Sequence, residues 1–406
     1  MVGAGFTVLF VVYGMQFSFG EFRQAATAEE GWSQTSLSLI FAIYIGTYSL
    51  LSAVSGWATD RFGPRRTVAA GSIVLFAGYL LWAAAPSLWV VALGLAVVAP
   101  IGMSCSWVPV NATAVRWFIR RRGIASALVT TGGSAGNIVA PPIAAALVAV
   151  HGWRTAVTVM ASVGVVLLLG AAAVLVRDPE SVGLHPDGDL EAAADTATLD
   201  ADALTAAEAQ RTPTYWYLWA MYSLTFVVVF VPFVHGSSHA VELGVSSLAA
   251  ATVVSSIGVG GMVGRLLVGS VSDRIDRRRA VIGALALQVA AFTGWAMANG
   301  VGVLYVSGFA FGFGYGGAVA VFPALVGDYF GRVHAGTIVG RMFALAGVMA
   351  AIGPYVAALI FDQTQSYRAA FAIAAGLNGL AFLLALRLPT PTVVARPVGA
   401  GVAPAT

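Results

Sequence analysis

The chain alternates between long apolar runs and short polar stretches along almost its whole length. Each apolar run holds about 20 residues, which is the length that a helix needs to cross a hydrocarbon core about 30 Å thick. Twelve such segments are predicted, at residues 2–22, 36–57, 67–86, 88–114, 124–150, 155–176, 214–236, 247–271, 279–298, 301–326, 335–360 and 368–387. The pattern therefore predicts an all-α membrane protein with twelve transmembrane helices.

The longest polar stretch, residues 177–213, lies between the sixth and seventh apolar segments. It is acidic and rich in Ala, Asp and Thr, which is typical of a linker that need not pack. The predicted organisation is a six-helix bundle over 1–176, a linker over 177–213, a second six-helix bundle over 214–387 and a tail over 388–406.

Composition narrows the function classes. Charged residues make up 10% of the 406 residues, against about 25% in soluble domains. All 21 basic residues are arginine, so Schiff-base and P-loop lysine chemistry is excluded. The five histidines form no metal-binding pair inside a segment, so we expect no metal, no cofactor and no enzyme activity. Nor does the net charge of +3 indicate nucleic acid, because the arginines cluster beside the membrane.

Arginine placement predicts the orientation of the chain. With the N-terminus inside, sixteen arginines fall in inner loops and the tail, three fall in outer loops, and Arg265 and Arg341 fall within segments. Cytoplasmic loops carry the excess of Lys and Arg in membrane proteins. We therefore expect a multi-pass protein of the cell (plasma) membrane with both termini and the linker in the cytoplasm.

The two halves of the chain repeat each other. GWATDRFGPRR, residues 56–66, aligns with GSVSDRIDRRR, residues 269–279, at an offset of 213 residues. Pro141 and Pro354 are related by the same offset. The repeat predicts two bundles in the same orientation.

The loop of this repeat resembles the signature of the major facilitator superfamily. The first copy carries it on Gly56, Asp60, Arg61, Gly63 and Arg65. The second copy keeps Gly269, Asp273 and Arg274, but has Asp276 in place of the second glycine. The resemblance implies the major facilitator fold, a substrate site between the bundles near the middle of the membrane, and a gating role for these loop residues. The alternative is that the loop arginines only set the topology.

Finer features resemble the branch of monocarboxylate porters and oxalate/formate antiporters. They are WVPVNATAVRWFIRRRG at 107–123, GRLLVGSVSDR at 264–274 and FPALVGDYFGRVHAG at 322–336. In that branch the arginine of the eighth segment grips a substrate carboxylate, and Arg265 has that position. This chain departs from the branch at three positions. Gly261 stands where monocarboxylate porters carry an acid or an amide, and Phe17 stands where they carry a lysine. Ala346 stands where oxalate exchangers carry a lysine.

Arg265 is the central candidate on physical grounds as well. It lies eight residues before Asp273, which places it about 12 Å inside the membrane at 1.5 Å per residue. A charge at that depth costs about 2.5–3.5 kcal/mol on insertion scales. Its repeat counterpart is Ser52, so the fold itself does not require a cation. We favour an anion site over a structural ion pair or a snorkelling side chain.

Other candidates are weaker. Arg341 could supply a second cation, but a role in a gate or in pairing with a loop is the favoured alternative. It lies five residues from Ala346. Five residues rotate a helix by about 140° net, so the two positions do not share a face. Further candidate substrate-binding residues are polar or aromatic side chains inside segments, whose alternative roles are packing or interfacial capping. They are Tyr13, Gln16, Trp107, Asn111, Asn137, His235, Tyr315 and Tyr355.

The predicted function is secondary active transport of small organic anions by alternating access. Lactate- or pyruvate-like monocarboxylates are the expected substrates, carried by proton symport or anion exchange, by a protein that works as a monomer in the lipid bilayer. The alternatives are a dicarboxylate exchanger of the oxalate/formate type, a multidrug-type exporter and, from another class, a transport-inactive membrane sensor.

Overall fold

The computed structural model describes residues 1–188, 203–245, 247–350 and 352–390. Eleven helices in this part of the chain are long and apolar enough to cross a membrane. The longest, Arg122–Val174, has 53 residues and would measure about 80 Å at 1.5 Å per residue. It is interrupted at Gly152, where φ is 76° and ψ is 162°. It therefore makes two crossings, which gives the twelve spans predicted from the sequence.

The spans are numbered here in chain order. In the first bundle, span 1 is Val2–Phe17 and Phe19–Glu30, span 2 is Gln34–Phe62, and span 3 is Pro64–Ala83. Span 4 is Leu88–Ala92, a π-helix over Leu93–Val98, and Ala99–Trp117, and spans 5 and 6 are the parts of Arg122–Val174 before and after Gly152. In the second bundle, span 7 is Pro213–Val229 and Val231–Glu242, span 8 is Ser247–Ile275, and span 9 is Arg277–Ala296. Span 10 is Val301–Phe330, span 11 is Ala335–Met349 and Ile352–Thr364, and span 12 is Arg368–Leu386.

Proline explains where several spans bend. Proline cannot donate to the carbonyl four residues earlier, and its ring clashes with that carbonyl. Span 4 kinks at Cys105 (φ −82°, ψ 23°), four residues before Pro109. Span 11 is interrupted four residues before Pro354, where its first helix ends at the cap residue Ala350. These interruptions lie beside the space between the bundles, where irregular backbone in a membrane protein is tolerated.

Glycine lets the helices within each bundle approach closely. Span 1 packs along span 5, and a Cβ on Gly132 would lie 2.2 Å from the Phe6 carbonyl oxygen. Span 8 packs on span 10 in the same way, and a Cβ on Gly260 would lie 2.2 Å from the Phe309 carbonyl oxygen. Between the bundles, span 2 pairs with span 11 and span 5 pairs with span 8.

The described parts of the linker pack, contrary to the expectation from its composition. Leu204 is fully buried and its backbone N–H donates to the Phe330 carbonyl at 2.9 Å. A capping box of Thr205 and Glu208 starts the short helix Ala206–Gln210. Asp187 accepts hydrogen bonds from the backbone N–H groups before span 5. Short apolar residues among the acids, rather than aromatic ones, supply the buried contacts.

Candidate functional site

A cavity of about 410 Å³ lies between the two bundles. Its lining comes from spans 1, 2, 4 and 5 of the first bundle and spans 7, 8, 10 and 11 of the second. Ten of its 26 lining residues are aromatic. Cavities of roughly 300–1,000 Å³ with apolar walls and a few polar groups are typical of sites for small molecules.

Arg265 projects into this cavity from span 8. Its Nη1 donates to Ser134 Oγ at 2.6 Å, and its guanidinium carbon lies 5.8 Å from the centre of the Tyr315 ring. Its buried Nε has no hydrogen-bond partner. Within the described residues Arg265 forms no ion pair, so most of its donors remain available to an anion.

Ser134 is a site residue that sequence reasoning missed. It lies on span 5, in the bundle opposite to Arg265, and three residues before the predicted candidate Asn137. Gly133 beside it lines the same cavity. Nothing in the sequence marks this serine, because its importance follows from which helix faces span 8.

The structure brings six of the predicted residues together. The cavity lining contains Tyr13, Gln16, Trp107, Asn137, Arg265 and Tyr315. Gln16 is 5% exposed and its Oε1 has no hydrogen-bond partner. Trp107 reaches the cavity from the stretch between the kink at Cys105 and Pro109.

Three predicted substrate-binding residues are absent from the lining of this cavity. Asn111 is fully buried in span 4, and its amide donates to the Trp107 carbonyl at 2.9 Å. His235 lies with its Nε2 2.9 Å from the Pro354 carbonyl oxygen, so it bridges spans 7 and 11. Tyr355 is 66% exposed on span 11. His235 and Tyr355 lie on faces of spans 7 and 11 that do not line the cavity, whereas Asn111 shares a face of span 4 with Trp107 but bonds back onto its own helix one turn further along.

Arg341 does not supply a second cation to the cavity. Its Nη1 donates to Gln210 Oε1 at 2.8 Å, in the short helix that precedes span 7. It is absent from the cavity lining, within the part of the chain that the structure describes. This contact matches the alternative of pairing with a loop.

Two equivalent contacts join the bundles at the end of the molecule that carries the loops with Arg61 and Arg274, called here the arginine-rich end. Asp60 accepts hydrogen bonds from the Thr337 N–H at 2.7 Å and from Thr337 Oγ1 at 2.6 Å, at the start of span 11. Asp273 accepts from the Gly123 and Ile124 N–H groups at 2.7 and 2.9 Å, at the start of span 5. A carboxylate at a helix N-terminus is stabilised by the free N–H groups and the helix dipole.

The first glycine of each signature loop makes this approach possible. A Cβ on Gly56 would lie 2.2 Å from the Gly336 carbonyl oxygen, and one on Gly269 would lie 2.4 Å from the Ala127 Cβ. The second glycine of the signature, which Asp276 replaces in the second copy, lies where the backbone has a positive φ. Gly63 has φ 85°, and Asp276 keeps a positive φ of 116° at the equivalent position.

Arginines that the sequence only marked for topology reinforce this end. Arg116 Nη2 donates to Asp60 Oδ1 at 2.6 Å and also bonds the Val333 carbonyl of the other bundle. Arg332 Nη1 donates back to the Arg116 carbonyl at 2.9 Å. Arg122 Nη1 donates to Asp328 Oδ1 at 2.9 Å across the bundles. The segment RWFIRRRG at 116–123 resembles DYFGRVHAG at 328–336 in the other half of the chain, and this likeness is the sequence signal that could have indicated them.

The remaining signature residues stay outside these contacts. The guanidinium of Arg61 lies 5.8 Å from the Trp57 ring centre, while Arg65 and Arg274 are exposed. Burial lowers the pKa of His334, just before span 11, by more than the nearby Asp60 raises it. This imidazole is therefore neutral at neutral pH.

At the opposite end, several polar contacts of the described residues lie within one bundle. In the first bundle, Arg154 pairs with Glu30 at 3.0 Å. In the second, both ring nitrogens of the buried His239 face acceptors, the Glu242 carboxylate at 3.1 Å and the Trp295 carbonyl at 3.0 Å. Glu242 also accepts from the Tyr367 N–H at 3.0 Å. These contacts fix helix ends inside a bundle and do not tie the bundles together.

The fold and the paired loops define a two-bundle membrane transporter. Residues 1–301 and 238–405 match the sequence profile of the Major Facilitator Superfamily. The chain therefore belongs to the Major Facilitator Superfamily, whose fold is that of transporters and not of enzymes.

Similar proteins carry several functions. Monocarboxylate transporter 13 of Bos taurus is 28% identical over 92% of this chain and 84% of its own length. The agnestins efflux protein AgnL12 of Paecilomyces divaricatus is 25% identical over 97% of this chain and 87% of its own length. Among solved structures, the human organic anion transporter MFSD10 aligns with a TM-score of 0.68 at 18% identity, over 95% of this chain and 98% of that one. FucP in the outward conformation aligns with a TM-score of 0.71 at 16% identity, over the same shares.

Proposed function

We propose that this protein is a secondary active transporter of organic anions that carry one carboxylate, with Arg265 as the fixed cation of the site. The observation that carries the proposal is the part-buried guanidinium of Arg265, which faces the cavity without an ion-pair partner in the described residues. Guanidinium binds carboxylate through two parallel hydrogen bonds. An anion in this apolar site would compensate a charge that the protein itself leaves unpaired.

The similarity to monocarboxylate transporters supports one carboxylate, and so does the position of Arg341. A second carboxylate needs a second cation, and the Arg341 guanidinium bonds Gln210 outside the cavity. Within the described lining, Arg265 is the one guanidinium. We therefore favour monocarboxylate transport over dicarboxylate exchange.

We place the arginine-rich end in the cytoplasm of a cell membrane, because inner loops carry the excess of arginine. The state described here then has its cytoplasmic end joined, because Asp60 of span 2 bonds the start of span 11 and Asp273 of span 8 bonds the start of span 5. Opening to the cytoplasm would break both contacts as the bundles rock about the cavity.

We propose anion exchange as the coupling mode. The charged side chain of the described cavity lining is Arg265, and that lining contains neither a carboxylate nor an imidazole to carry a proton. Reorientation without an anion would move an unpaired, desolvated cation, which is costly in an apolar medium. A bound anion on each passage removes that cost.

Uptake of radiolabelled lactate into proteoliposomes tests the function and its coupling. We expect uptake to require preloading with unlabelled lactate, and to be lost in Arg265→Ala. Arg341→Ala is the matched control, because it removes an arginine of span 11 from outside the cavity, and we expect it to keep most of the exchange. Uptake that a pH gradient drives without preloading would replace exchange by proton symport. Equal uptake by Arg265→Ala and the unmodified protein would overturn the proposed site.

A further inference from the structure

The amide, serine and threonine side chains of the cavity lie on one side, and six of its ten aromatic rings lie on the other. Every Ser, Thr, Asn and Gln in its described lining belongs to the first bundle, on spans 1, 2 and 5. They are Gln16, Ser49, Thr130, Ser134 and Asn137. The second bundle contributes Arg265 and otherwise tyrosine, phenylalanine, aliphatic residues and glycine. A ligand in this space meets amides, hydroxyls and four rings on the side of the first bundle, and Arg265 with six rings on the side of the second.

The aromatic wall begins directly at the cation. The Tyr315 ring lies 5.8 Å from the Arg265 guanidinium carbon, and Phe233 lies 6.1 Å from Tyr315, edge to face. Phe230 follows at 6.0 Å from Phe233, at the interruption of span 7. Aromatic rings at 4.5–7 Å in tilted or edge-to-face arrangements pack favourably, and the same geometry is open to a ring of a ligand.

A second row of rings extends the wall and is already rigid. Trp107 stacks on Phe343 at 5.0 Å, Phe343 lies 5.8 Å from Phe226, and Phe226 lies 4.4 Å from Tyr222. All four side chains are under a tenth exposed. A wall that is packed before the ligand arrives needs no ordering on binding, which favours affinity.

From this wall we infer that the preferred substrates are bulky, aromatic monocarboxylates rather than three-carbon acids; the inference rests on the proposed function. The carboxylate binds Arg265 and the ring lies against Tyr315, Phe233 and their neighbours. A three-carbon acid would satisfy Arg265 but leave most of a cavity of about 410 Å³ to water against apolar rings. Displacing that water by an apolar group is favourable.

The size series of propionate and 3-phenylpropionate tests the inference, because the two acids share the carboxylate and the chain and differ by one ring. Exchange of radiolabelled propionate is measured in proteoliposomes, and the uptake by protein-free vesicles is subtracted. Each unlabelled compound is then added as a competing inhibitor. We expect 3-phenylpropionate to inhibit at a concentration at least tenfold lower than propionate, which is about 1.4 kcal/mol. The neutral 3-phenylpropanamide, which lacks the charge that Arg265 binds, should not compete.

Two phenylalanine variants locate the ring. Phe233→Ala should reduce the preference for 3-phenylpropionate over propionate to below threefold, because it removes one ring of the wall. The matched control is Phe309→Ala, because Phe309 lies on span 10, is 40% exposed and does not line the cavity. This control should keep the full preference, and equal losses in both variants would contradict the assignment of the wall.

The outcomes separate the inference from the proposed function. Equal inhibition by propionate and 3-phenylpropionate, with exchange lost in Arg265→Ala, would overturn the aromatic preference and leave the proposed function standing. No exchange of either acid, or exchange that Arg265→Ala does not affect, would overturn the proposed function itself. Inhibition by 3-phenylpropanamide as strong as that by the acid would overturn both.

Discussion

The two helix pairs that join the bundles are related by the internal repeat but are used differently. In the pair of spans 2 and 11, Ser52 Oγ donates to the Gly340 carbonyl at 3.1 Å, and a Cβ on Gly340 would lie 2.4 Å from the Ser52 carbonyl oxygen. In the pair of spans 5 and 8, Arg265 has the position of Ser52 and bonds Ser134. Nothing lies within 4 Å of a Cβ built on Gly258.

The difference shows what one substitution in a repeated scaffold changes. A buried serine with a glycine opposite lets two helices touch, so spans 2 and 11 form a packed contact. An arginine cannot be accommodated in such a contact, so spans 5 and 8 leave room beside it. The cavity between the bundles is therefore asymmetric, although the two aspartate contacts at the arginine-rich end remain nearly symmetric. Four predictions test this comparison.

The largest effect is expected when Arg265, in the pair of spans 5 and 8, is replaced by the serine that the pair of spans 2 and 11 carries at the equivalent position. Arg265→Ser should lower the exchange rate at low propionate concentration at least 100-fold, because two charge-assisted hydrogen bonds contribute about 1.5–3 kcal/mol each. Arg265→Lys should retain more activity, since it keeps the charge but not the fork. Thermal stability in detergent checks that both variants fold. An Arg265→Ser variant with normal exchange would show that the two helix pairs do not differ in function.

The next effect concerns the closest approach of spans 2 and 11. Gly56→Ala places a Cβ 2.2 Å from the Gly336 carbonyl oxygen and should open the arginine-rich end. The readout is labelling of Thr130→Cys in the cavity by an impermeant maleimide from that end, in a Cys105→Ser background, and we expect about tenfold faster labelling, or 1.4 kcal/mol.

Gly46→Ala on the same span is the matched control. Nothing lies within 4 Å of its Cβ, so alanine should only stabilise the helix, by about 0.5–1 kcal/mol. Labelling at the same rate in the two variants would contradict a role for the close approach.

A smaller effect, equal at the two sites, is expected at the aspartate contacts of the arginine-rich end. Asp60→Asn and Asp273→Asn each weaken one carboxylate contact with a helix N-terminus. Each should speed labelling of the same reporter cysteine by about fivefold, in line with about 1 kcal/mol for a charge at a helix terminus. The double variant should add the two free energies. Faster labelling in only one of the two single variants would show that the two aspartate contacts differ, as the two sides of the cavity do.

The smallest effect is expected at Ser134. Its hydroxyl accepts from Arg265 in this state, so a carboxylate has to displace it. Ser134→Ala removes the competing acceptor and should lower the half-saturating propionate concentration by about threefold, or about 0.7 kcal/mol, because water replaces the hydroxyl as acceptor in the empty site. A tenfold weaker affinity instead would show that Ser134 itself contacts the anion.

The sequence by itself determined the features that lie along the chain. Apolar length predicted the twelve spans, the offset of 213 residues related the halves, and depth in span 8 marked Arg265. These features need no knowledge of neighbours, because membrane thickness and the cost of a buried charge act on each helix alone.

Only the tertiary structure decided which face of each helix meets the cavity. Trp107 and Asn111 lie one turn apart on span 4, yet Trp107 lines the cavity and Asn111 bonds the carbonyl of Trp107. His235 and Tyr355 were plausible from their positions but lie outside, and Ser134 was unmarked. In a soluble helix, polar periodicity identifies the buried face. In a membrane both the lipid-facing and the protein-facing sides are apolar, so the rotation of each helix is set by packing between distant segments.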